Sequence, residues 1–459
     1  MTMGRRLGSL LMLTCIGVSI WWGTAIARRV PGGPLDFQAI YYGTRCLLEH
    51  HNPYNVSQLE SVYRADGWER PSDSIQRRQT VTLYVNLPVT FLFIAPFALL
   101  PLGVAQVIWA MLTAGVLLTA AFLMWDLGSK YAPILSGCLI ALFLANCELV
   151  FLTGNTVGIV VSLCVIATWC LLQERFVTAG VLCLAVSLVI KPHDSGLIWL
   201  YFLLAGGVYR KRALQSLAVS AVLAASALLW ISLAVPQWMQ DWRANMATIS
   251  TPGGLNSPGT ASLVINYLGS VISLQTVFAL FRDDPRIYNP LAYLVCGVML
   301  AAWSARTLRS GFSQTSAWLA LAAVAPVTML VTYHRSYDAK LLLLTVPACA
   351  MLWARGGAIR WMALSVNTAG IVLTADFPLT ILMMSARNVH IASEGFVEKI
   401  LAVARMRPAP LMLLVMSIFY LCVYMRPAVP VFGGASDIKV TPQCHSKIVL
   451  GEAGAGGQT

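Results

Sequence analysis

The chain has 459 residues, of which 58% are hydrophobic and only 11% are charged. Soluble domains carry about a quarter charged residues, so this composition excludes a soluble globular protein. The formal net charge of +12 does not indicate nucleic-acid binding, because the basic residues form short clusters between apolar tracts. Such clusters are typical of the cytoplasmic loops of membrane proteins. We therefore expect one continuous membrane domain over residues 1–426, surrounded by membrane lipids and without a nucleic-acid partner.

Apolar tracts recur along this domain, and a membrane-spanning helix needs about 20 apolar residues. Tracts of suitable length lie at residues 7–26, 81–100, 103–125, 132–150, 156–173, 176–190, 195–209, 213–234, 290–308, 316–333, 338–354, 361–381 and 409–425. A weaker tract at 262–281 is interrupted by polar residues such as Asn266 and Gln275, and we expect it to lie flat at the membrane interface. The pattern predicts an all-α, polytopic transmembrane helical bundle with roughly 11–13 crossings.

Two hydrophilic loops interrupt the tracts, a long one at residues 27–80 and a shorter one at 235–261. Loops of this length usually carry function, and we expect interfacial helices within the first. The tail at 427–459 is rich in Gly, Ala and Pro, which predicts disorder. The 11 cysteines are scattered, with no pair or cluster at metal-ligand spacing, so they do not indicate a metal site.

Clusters of basic residues predict how the chain is oriented, since cytoplasmic loops are enriched in Lys and Arg. With the clusters inside, loop 27–80, Lys191–Asp194 and Tyr333–Asp338 all face outside and meet at one end of the bundle. Five candidate spans separate loop 27–80 from Lys191, whereas an even number is required, so one of the five is expected not to cross. The clusters are Arg5–Arg6, Arg210–Arg212, Arg306 with Arg309, and Arg355 with Arg360.

An acidic residue follows the first apolar tract. Asp36 stands just after the turn Pro31-Gly32-Gly33-Pro34, at the start of the segment 35–48. A carboxylate held at the membrane surface can act as a general base towards a lipid-borne hydroxyl. The alternative is that Asp36 only caps an interfacial helix, because Asp is a favoured N-cap residue.

Polar residues at the ends of later tracts are further candidates for a binding site. Tyr84 and Asn86 open the tract at 81–100, and Asn155 follows the tract at 132–150. These residues either line a substrate site or serve as interfacial anchors and a polar turn. Arg45, within the first loop, is a candidate for contact with an anionic group.

Two segments place ionisable residues beside apolar tracts, where such residues are functional by default. Lys191 follows fifteen uncharged residues, and we expect it either to meet an anionic headgroup or to snorkel to the interface. His334, Arg335 and Asp338 lie between two spans, in a segment too polar to remain unpaired near lipid. Because His334 and Asp338 are four residues apart, they would share one face if the segment were helical.

Sequence motifs for other chemistries are missing. The chain has no HExxH, no Walker-type phosphate loop and no GxSxG, so metalloprotease, nucleotide-hydrolysing and serine-hydrolase chemistry are not supported.

A transporter or lipid flippase is the main alternative to an enzyme. Such proteins commonly consist of two related halves with a site near the bilayer midplane. Here the polar segments gather at one face, and the two halves share no matching broken tracts.

The order of these motifs resembles the C-type glycosyltransferase superfold, and specifically its family 87 polyprenyl-phosphate-sugar-dependent transferases, which include bacterial mannosyltransferases. The resemblance covers about residues 7–360. It rests on Leu35-Asp36-Phe37, Asn52-Pro53-Tyr54, Asn86-Leu87-Pro88, the segment from Pro96 to Pro101, Gly154-Asn155, Lys191-Pro192, and His334 with Tyr337-Asp338.

This resemblance implies transfer of a sugar, with mannose expected, from a polyprenyl phosphate to a lipid or glycan acceptor. Asp36 then corresponds to the catalytic base and His334 to a polar residue near the donor phosphate. The expected setting is the bacterial inner membrane, with the site facing the periplasm. Because the acid stands alone and not in a two-acid Asp-x-Asp motif, we expect no metal and no other cofactor.

Overall fold

The computed structural model of the chain describes residues 3–29, 34–67, 83–252, 254, 256–259, 271–375 and 395–426. Within these ranges the chain forms helices and no β-strand, with one isolated backbone bridge between Val271 and Arg335. The first helices are α1 (Met3–Arg29), α2 (Leu35–Leu48), α3 (Val56–Ala65), α4 (Val89–Ala98), α5 (Leu102–Ser129), α6 (Pro133–Leu144), α7 (Glu148–Thr153), α8 (Val157–Leu172), α9 (Val177–Ile190) and α10 (Pro192–Ala205).

The second half of the described chain continues in the same way. It contains α11 (Gly207–Ala234), α12 (Trp238–Ser250), α13 (Gln275–Ala279), α14 (Pro285–Arg309), α15 (Gln314–Val331), a 3₁₀ helix (Ser336–Thr345), α16 (Val346–Arg355), α17 (Gly357–Leu373), α18 (Phe396–Met406) and α19 (Pro408–Met425). The predicted disordered tail at 427–459 and residues 262–270 of the weak tract lie outside the described residues.

Eight helical segments of the described chain are long and apolar enough to cross a membrane. They are α1, α5, α6 with α7, α11, α14, α15, the 3₁₀ helix with α16, and α19. Four shorter helices of 14–17 residues, α8, α9, α10 and α17, pack among them. The count of 11–13 crossings stays a prediction, because eight segments of the described chain are long and apolar enough to cross. Large apolar side chains such as Leu229 and Leu233 are exposed on the outside of the bundle, as contact with lipid requires. The predicted all-α polytopic fold is confirmed.

Helix α4 explains the odd number of candidate spans before Lys191. It has ten residues and is about 15 Å long at 1.5 Å per residue, half the thickness of a bilayer core. Pro88 and Pro101 bracket the segment, and proline interrupts helices. Tyr54 donates a hydrogen bond to the carbonyl of Asn86 before α4, and Tyr41 donates one to the carbonyl of Leu100 after it. Both ends of α4 therefore lie beside the first loop, at one end of the bundle.

The two predicted hydrophilic loops pack against each other at that end. Loop 27–80 contains α2 and α3, and loop 235–261 contains α12. The Asn52 side chain donates to the Asp241 carboxylate at 2.6 Å. Asn245 of α12 donates to the carbonyls of Tyr54 and Tyr84, at 2.9 and 3.1 Å. Helix α12 is thereby fixed over the end of the bundle where α2 begins.

A labelling experiment tests this placement of α4. Cysteine introduced at Leu99, which is 76% exposed, should react with a membrane-impermeant maleimide from the same side as cysteine at Gln58. Cysteine at Lys130, at the far end of α5, should react from the opposite side. The unsubstituted chain, with exposed Cys138 and Cys422, measures background labelling. Reaction of Leu99→Cys from the side of Lys130→Cys would show that α4 crosses.

Candidate active site

A cavity of about 610 Å³ opens at the end of the bundle that α12 covers. Its walls come from the start of α2, the segment before α4, the turn before α8, the α9–α10 junction, α12 and the segment after α15. Six of the predicted site residues line it: Asp36, Tyr84, Asn86, Asn155, Lys191 and Arg335. Segments separated by up to about 300 residues of sequence therefore form one site.

Asp36 lies in the first turn of α2 and is partly exposed to the cavity. The alternative interpretation of Asp36 as the N-cap is wrong, because Pro34 occupies that position. The helix dipole favours a carboxylate in a first turn. The Asn155 side-chain amide donates to Oδ2 of Asp36 at 2.8 Å, and the same amide lies 3.3 Å from the Tyr337 hydroxyl. One carboxylate oxygen is thus held by Asn155.

Gly154 makes this contact possible. Its φ angle is +66°, a left-handed conformation that glycine adopts at low cost. A Cβ atom at this position would lie 2.7 Å from Cβ of Phe37 and 3.1 Å from Cβ of Pro34. The Gly154 carbonyl accepts a hydrogen bond from the Trp109 indole at 2.9 Å. The turn therefore approaches the start of α2 closely enough for Asn155 to reach Asp36.

Lys191 lies at the junction of α9 and α10, where Pro192 begins the second helix. Its Nζ atom is 3.2 Å from Oδ1 of Asp338 and 3.7 Å from Oδ2 of Asp194. Burial lowers the pKa of Lys191, but the two carboxylates outweigh burial and raise it above the ordinary value. The ammonium group also lies 5.6 Å from the centre of the Tyr337 ring. Its side chain remains 15% exposed, so the charge reaches the cavity.

His334 is fully buried and does not line the cavity. Its Nδ1 atom lies 3.1 Å from the Thr332 carbonyl, and its Nε2 atom lies 3.2 Å from Oδ1 of Asp194. The expected shared helical face with Asp338 is wrong, because the 3₁₀ helix begins only at Ser336. Instead, Asp338 caps that helix by accepting from the Arg335 backbone N–H at 2.6 Å. Asp194 and Lys191 connect the two residues.

The remaining predicted residues occupy different positions. Arg335 lines the cavity, and its guanidinium group contacts the Tyr333 hydroxyl and stacks on that ring. Tyr84 lines the cavity with its ring stacked on Phe91. Arg45 lies away from the cavity, where it pairs with Asp66 at 2.5 Å and with Glu49 at 3.4 Å. Nothing in the described geometry brings Arg45 to Asp36 or Lys191.

Several cavity residues were not predicted as site residues. Tyr337 and His193 belong to motifs that the sequence showed, but no pattern indicated that their side chains face the same space. Trp242, Met246 and Asn256 come from the second loop and close one wall. Their only sequence signal was the length of that loop. The Trp242 indole donates to the Val85 carbonyl at 3.1 Å, which ties α12 to the cavity rim.

An apolar groove adjoins the cavity. It has a volume of about 350 Å³ and runs between the start of α4, the end of α9 and the middle of α11. Leu87 and Pro192 line both the groove and the cavity, so the two spaces meet at these residues. Small side chains of α11, including Ala221 and Ala224, form its floor. A polar chamber therefore lies next to an apolar groove.

One group of side chains in the described residues has the composition of a metal site. His193, Asp194 and His334 offer ligand atoms that lie within 4.8 Å of one another. A divalent ion there would meet the Lys191 ammonium group, which lies 3.7 Å from Asp194. Two positive charges that share one carboxylate repel strongly where water is scarce. The arrangement therefore fits a cluster of charged side chains better than a metal centre.

Comparison with known proteins gives one family. The sequence profile of glycosyltransferase family 87 matches residues 84–333, more than half of the chain. The match includes Asn155, Lys191 and the whole of α12. His334 directly follows its last residue, whereas Asp36 lies 48 residues before its first. No curated protein and no solved structure shows a significant match.

Substitution of Gly154 by alanine tests the turn that holds Asn155. The positive φ and the 2.7 Å approach to Phe37 should cost roughly 1–3 kcal/mol of stability and move Asn155 away from Asp36. The midpoint of thermal unfolding in lipid nanodiscs measures the first effect. Gly115→Ala is the matched control, because a Cβ there meets nothing within 4 Å. Equal behaviour of the two variants would contradict the role of Gly154.

Proposed function

Because the chain belongs to glycosyltransferase family 87 and forms a multi-pass membrane bundle, we propose that it transfers mannose from a polyprenyl-phosphate donor to a lipid-linked or glycan acceptor. The observation that supports this proposal most is the arrangement of charged side chains around the cavity, together with the apolar groove beside it. A carboxylate, Asp36, stands on one wall and two cations, Lys191 and Arg335, stand on others. The apolar groove adjoins the same cavity at Leu87 and Pro192.

In the proposed reaction, Asp36 takes the proton from the acceptor hydroxyl while that oxygen attacks the anomeric carbon of the donor sugar. The bond between the anomeric carbon and the phosphate oxygen breaks, and its electron pair leaves with polyprenyl phosphate. Attack opposite the leaving group inverts the anomeric configuration. Asn155 holds Oδ2 of Asp36 and so orients the carboxylate towards the acceptor.

The leaving phosphate gains negative charge as the bond breaks. Cations fixed in advance at the site of developing charge often supply a large part of catalysis. Lys191 and Arg335 line the cavity and suit this role. The Lys191 ammonium group is held beside the cavity by its ion pair with Asp338. His334 lies behind this wall and is placed to act through its neighbours.

The apolar groove would hold the first isoprene units of the donor. A polyprenyl phosphate joins a charged group to a long hydrocarbon chain, and the cavity and groove offer the same sequence of environments. With Leu87 and Pro192 at the junction, the phosphate would lie beside Lys191 while the chain leaves between α4, α9 and α11. No metal or other cofactor takes part in this proposal.

The same proposal includes a location. Loop 27–80 and the cavity lie at one end of the bundle, and the basic clusters predicted that this end faces outward. We place the site at the periplasmic face of a bacterial inner membrane, where a lipid-linked donor and a growing envelope glycan can meet. A transporter or flippase would bind the same lipid without forming a glycosidic bond.

Product analysis tests the proposed donor. Purified protein in lipid nanodiscs is incubated with polyprenyl-phosphate mannose, glucose or arabinofuranose and with extracted envelope lipids, and products are identified by mass spectrometry. We expect a new mannoside that forms only with the mannosyl donor. Transfer of another sugar would correct the donor, and the absence of any product would favour the transporter.

Asp36→Asn tests the proposed base. Loss of a general base typically lowers a rate by about 10²–10⁴-fold, and we expect kcat to fall in this range while donor binding is retained. Glu49→Gln is the control, since Glu49 lies at the exposed end of α2, away from the cavity. A folded Asp36→Asn protein with full transfer activity would rule out the assignment.

Filling the groove tests the path of the prenyl chain. Ala224→Phe places a ring in the groove, and we expect the KM for a long-chain donor to rise about tenfold with a smaller change in kcat. Val222→Phe, on the exposed face of the same helix, should leave KM unchanged. If the two variants have equal KM values, the prenyl chain of the donor does not follow this groove.

A further inference from the structure

Four charged or chargeable side chains form a connected cluster at the wall of the cavity that contains Lys191. Lys191 contacts Asp338 at 3.2 Å and Asp194 at 3.7 Å, and Asp194 contacts His334 at 3.2 Å. Asp194, Asp338 and His334 are each at most 1% exposed. Only Lys191 of the four reaches the cavity. The charge that the cavity presents therefore depends on groups that no substrate touches.

Both nitrogens of the His334 ring face oxygen acceptors. The Thr332 carbonyl cannot donate, so Nδ1 must carry a hydrogen atom to satisfy it. On the other side, Nε2 lies against the Asp194 carboxylate. A neutral ring with its hydrogen on Nδ1 would point a lone pair at that carboxylate, which is repulsive. The contacts are favourable on both sides only when the ring is an imidazolium ion.

The proton on His334 decides the charge balance. With the imidazolium, two positive groups (Lys191 and His334) balance two carboxylates (Asp194 and Asp338). Without that proton, Lys191 alone must compensate both carboxylates, and the cluster carries a net negative charge. A negative cluster repels an anionic ligand, and it also draws the ammonium group towards Asp194. In a site of low polarity such a change alters binding strongly.

We infer that His334 is a positioning residue: its imidazolium neutralises Asp194 and thereby keeps the charge of Lys191 available to the phosphate of the donor. This role rests on the proposed function for the identity of the ligand. His334 then needs no direct contact with substrate, in agreement with its complete burial. Asp194 takes part in the same effect, because its carboxylate contacts both His334 and Lys191.

The surroundings of His334 favour the protonated ring. The titratable or charged groups facing it or its direct partners are Asp194 and His193 of α10, Lys191 at the helix junction, Tyr333 and Arg335 beside it, and Asp338 of the 3₁₀ helix. Burial lowers the pKa of His334, but the Asp194 and Asp338 carboxylates raise it above its ordinary value near 6.5. Protonation therefore persists below that ordinary value and is lost as the pH rises through the raised pKa.

Binding of a simple probe tests the inference without sugar transfer. The probe is farnesyl methyl phosphate, a phosphodiester like the donor. Its single negative charge stays constant between pH 6 and pH 9, because a diester lacks the second ionisable proton of a phosphate monoester, whose pKa is about 6. Its affinity is measured for the full-length protein in phosphatidylcholine nanodiscs. Empty nanodiscs and farnesol control for partition into lipid.

Three variants separate charge from packing. His334→Gln removes the imidazolium and should weaken probe binding roughly tenfold near neutral pH. Asp194→Asn together with His334→Gln removes one charge of each sign and should return affinity to within about threefold of the wild type. Asp194→Asn alone should bind the probe at least as well as His334→Gln does. If the substitutions acted only by disturbing packing, the double variant would bind the probe more weakly than either single variant.

The pH profile gives an independent result. Wild-type affinity for the probe should fall as the pH is raised and His334 loses its proton, whereas the profile of the double variant should be flat. This measurement remains decisive if His334→Gln does not fold. A flat wild-type profile, or a double variant as weak as His334→Gln, would overturn the inference. A stoichiometric divalent ion in the purified protein, lost on His193→Ala substitution, would also overturn it.

The result of the probe-binding experiment can be distinguished from the result of the sugar-transfer experiment that tests the proposed function. If the probe binds with the expected charge dependence but no sugar donor gives a product, the binding site stands and the transferase activity fails. If mannose is transferred but probe binding ignores His334 and Asp194, the inference fails and the proposed function stands.

Discussion

Charged side chains within a membrane bundle are stable only when they are paired, and the ion pair between Lys191 and Asp338 is the contact that organises this protein. It joins the α9–α10 junction to the 3₁₀ helix, two segments that lie 147 residues apart in the sequence. Removing Lys191 would leave the buried carboxylate of Asp338 without its ion-pair partner, which is far more costly than losing an exposed ion pair. The pair therefore holds the two segments side by side and contributes to one wall of the cavity.

A second wall of the cavity depends on backbone geometry. Gly154 allows the turn before α8 to approach α2, and Asn155 then holds the carboxylate of Asp36. Tyr337 connects the two walls, since its hydroxyl lies near Asn155 and its ring lies near Lys191. An acid and cations thus line one chamber, as a reaction needs when it removes a proton and releases an anion.

The sequence predicted the features that depend on composition and local pattern. Long apolar tracts specified the bundle, and ionisable residues beside them marked Asp36 and Lys191, because such residues are rare near lipid without a purpose. Features that depend on tertiary contacts could not be predicted. Arg45 resembles a substrate contact until Asp66 is seen beside it, and Trp242 reaches the cavity only because α12 folds back over the first loop. His334 was predicted at the site, but its complete burial required the structure.

The central claim is that one cavity holds the phosphate beside Lys191 and directs the sugar towards Asp36. A cryo-electron microscopy map of the protein in nanodiscs with a non-transferable polyprenyl phosphonate C-mannoside tests this claim most directly. The account predicts the phosphonate between Lys191 and Arg335, the sugar facing Asp36, and the prenyl chain leaving past Leu87 and Pro192. Density for the phosphonate at the other end of the bundle, or for the prenyl chain outside the groove, would contradict it.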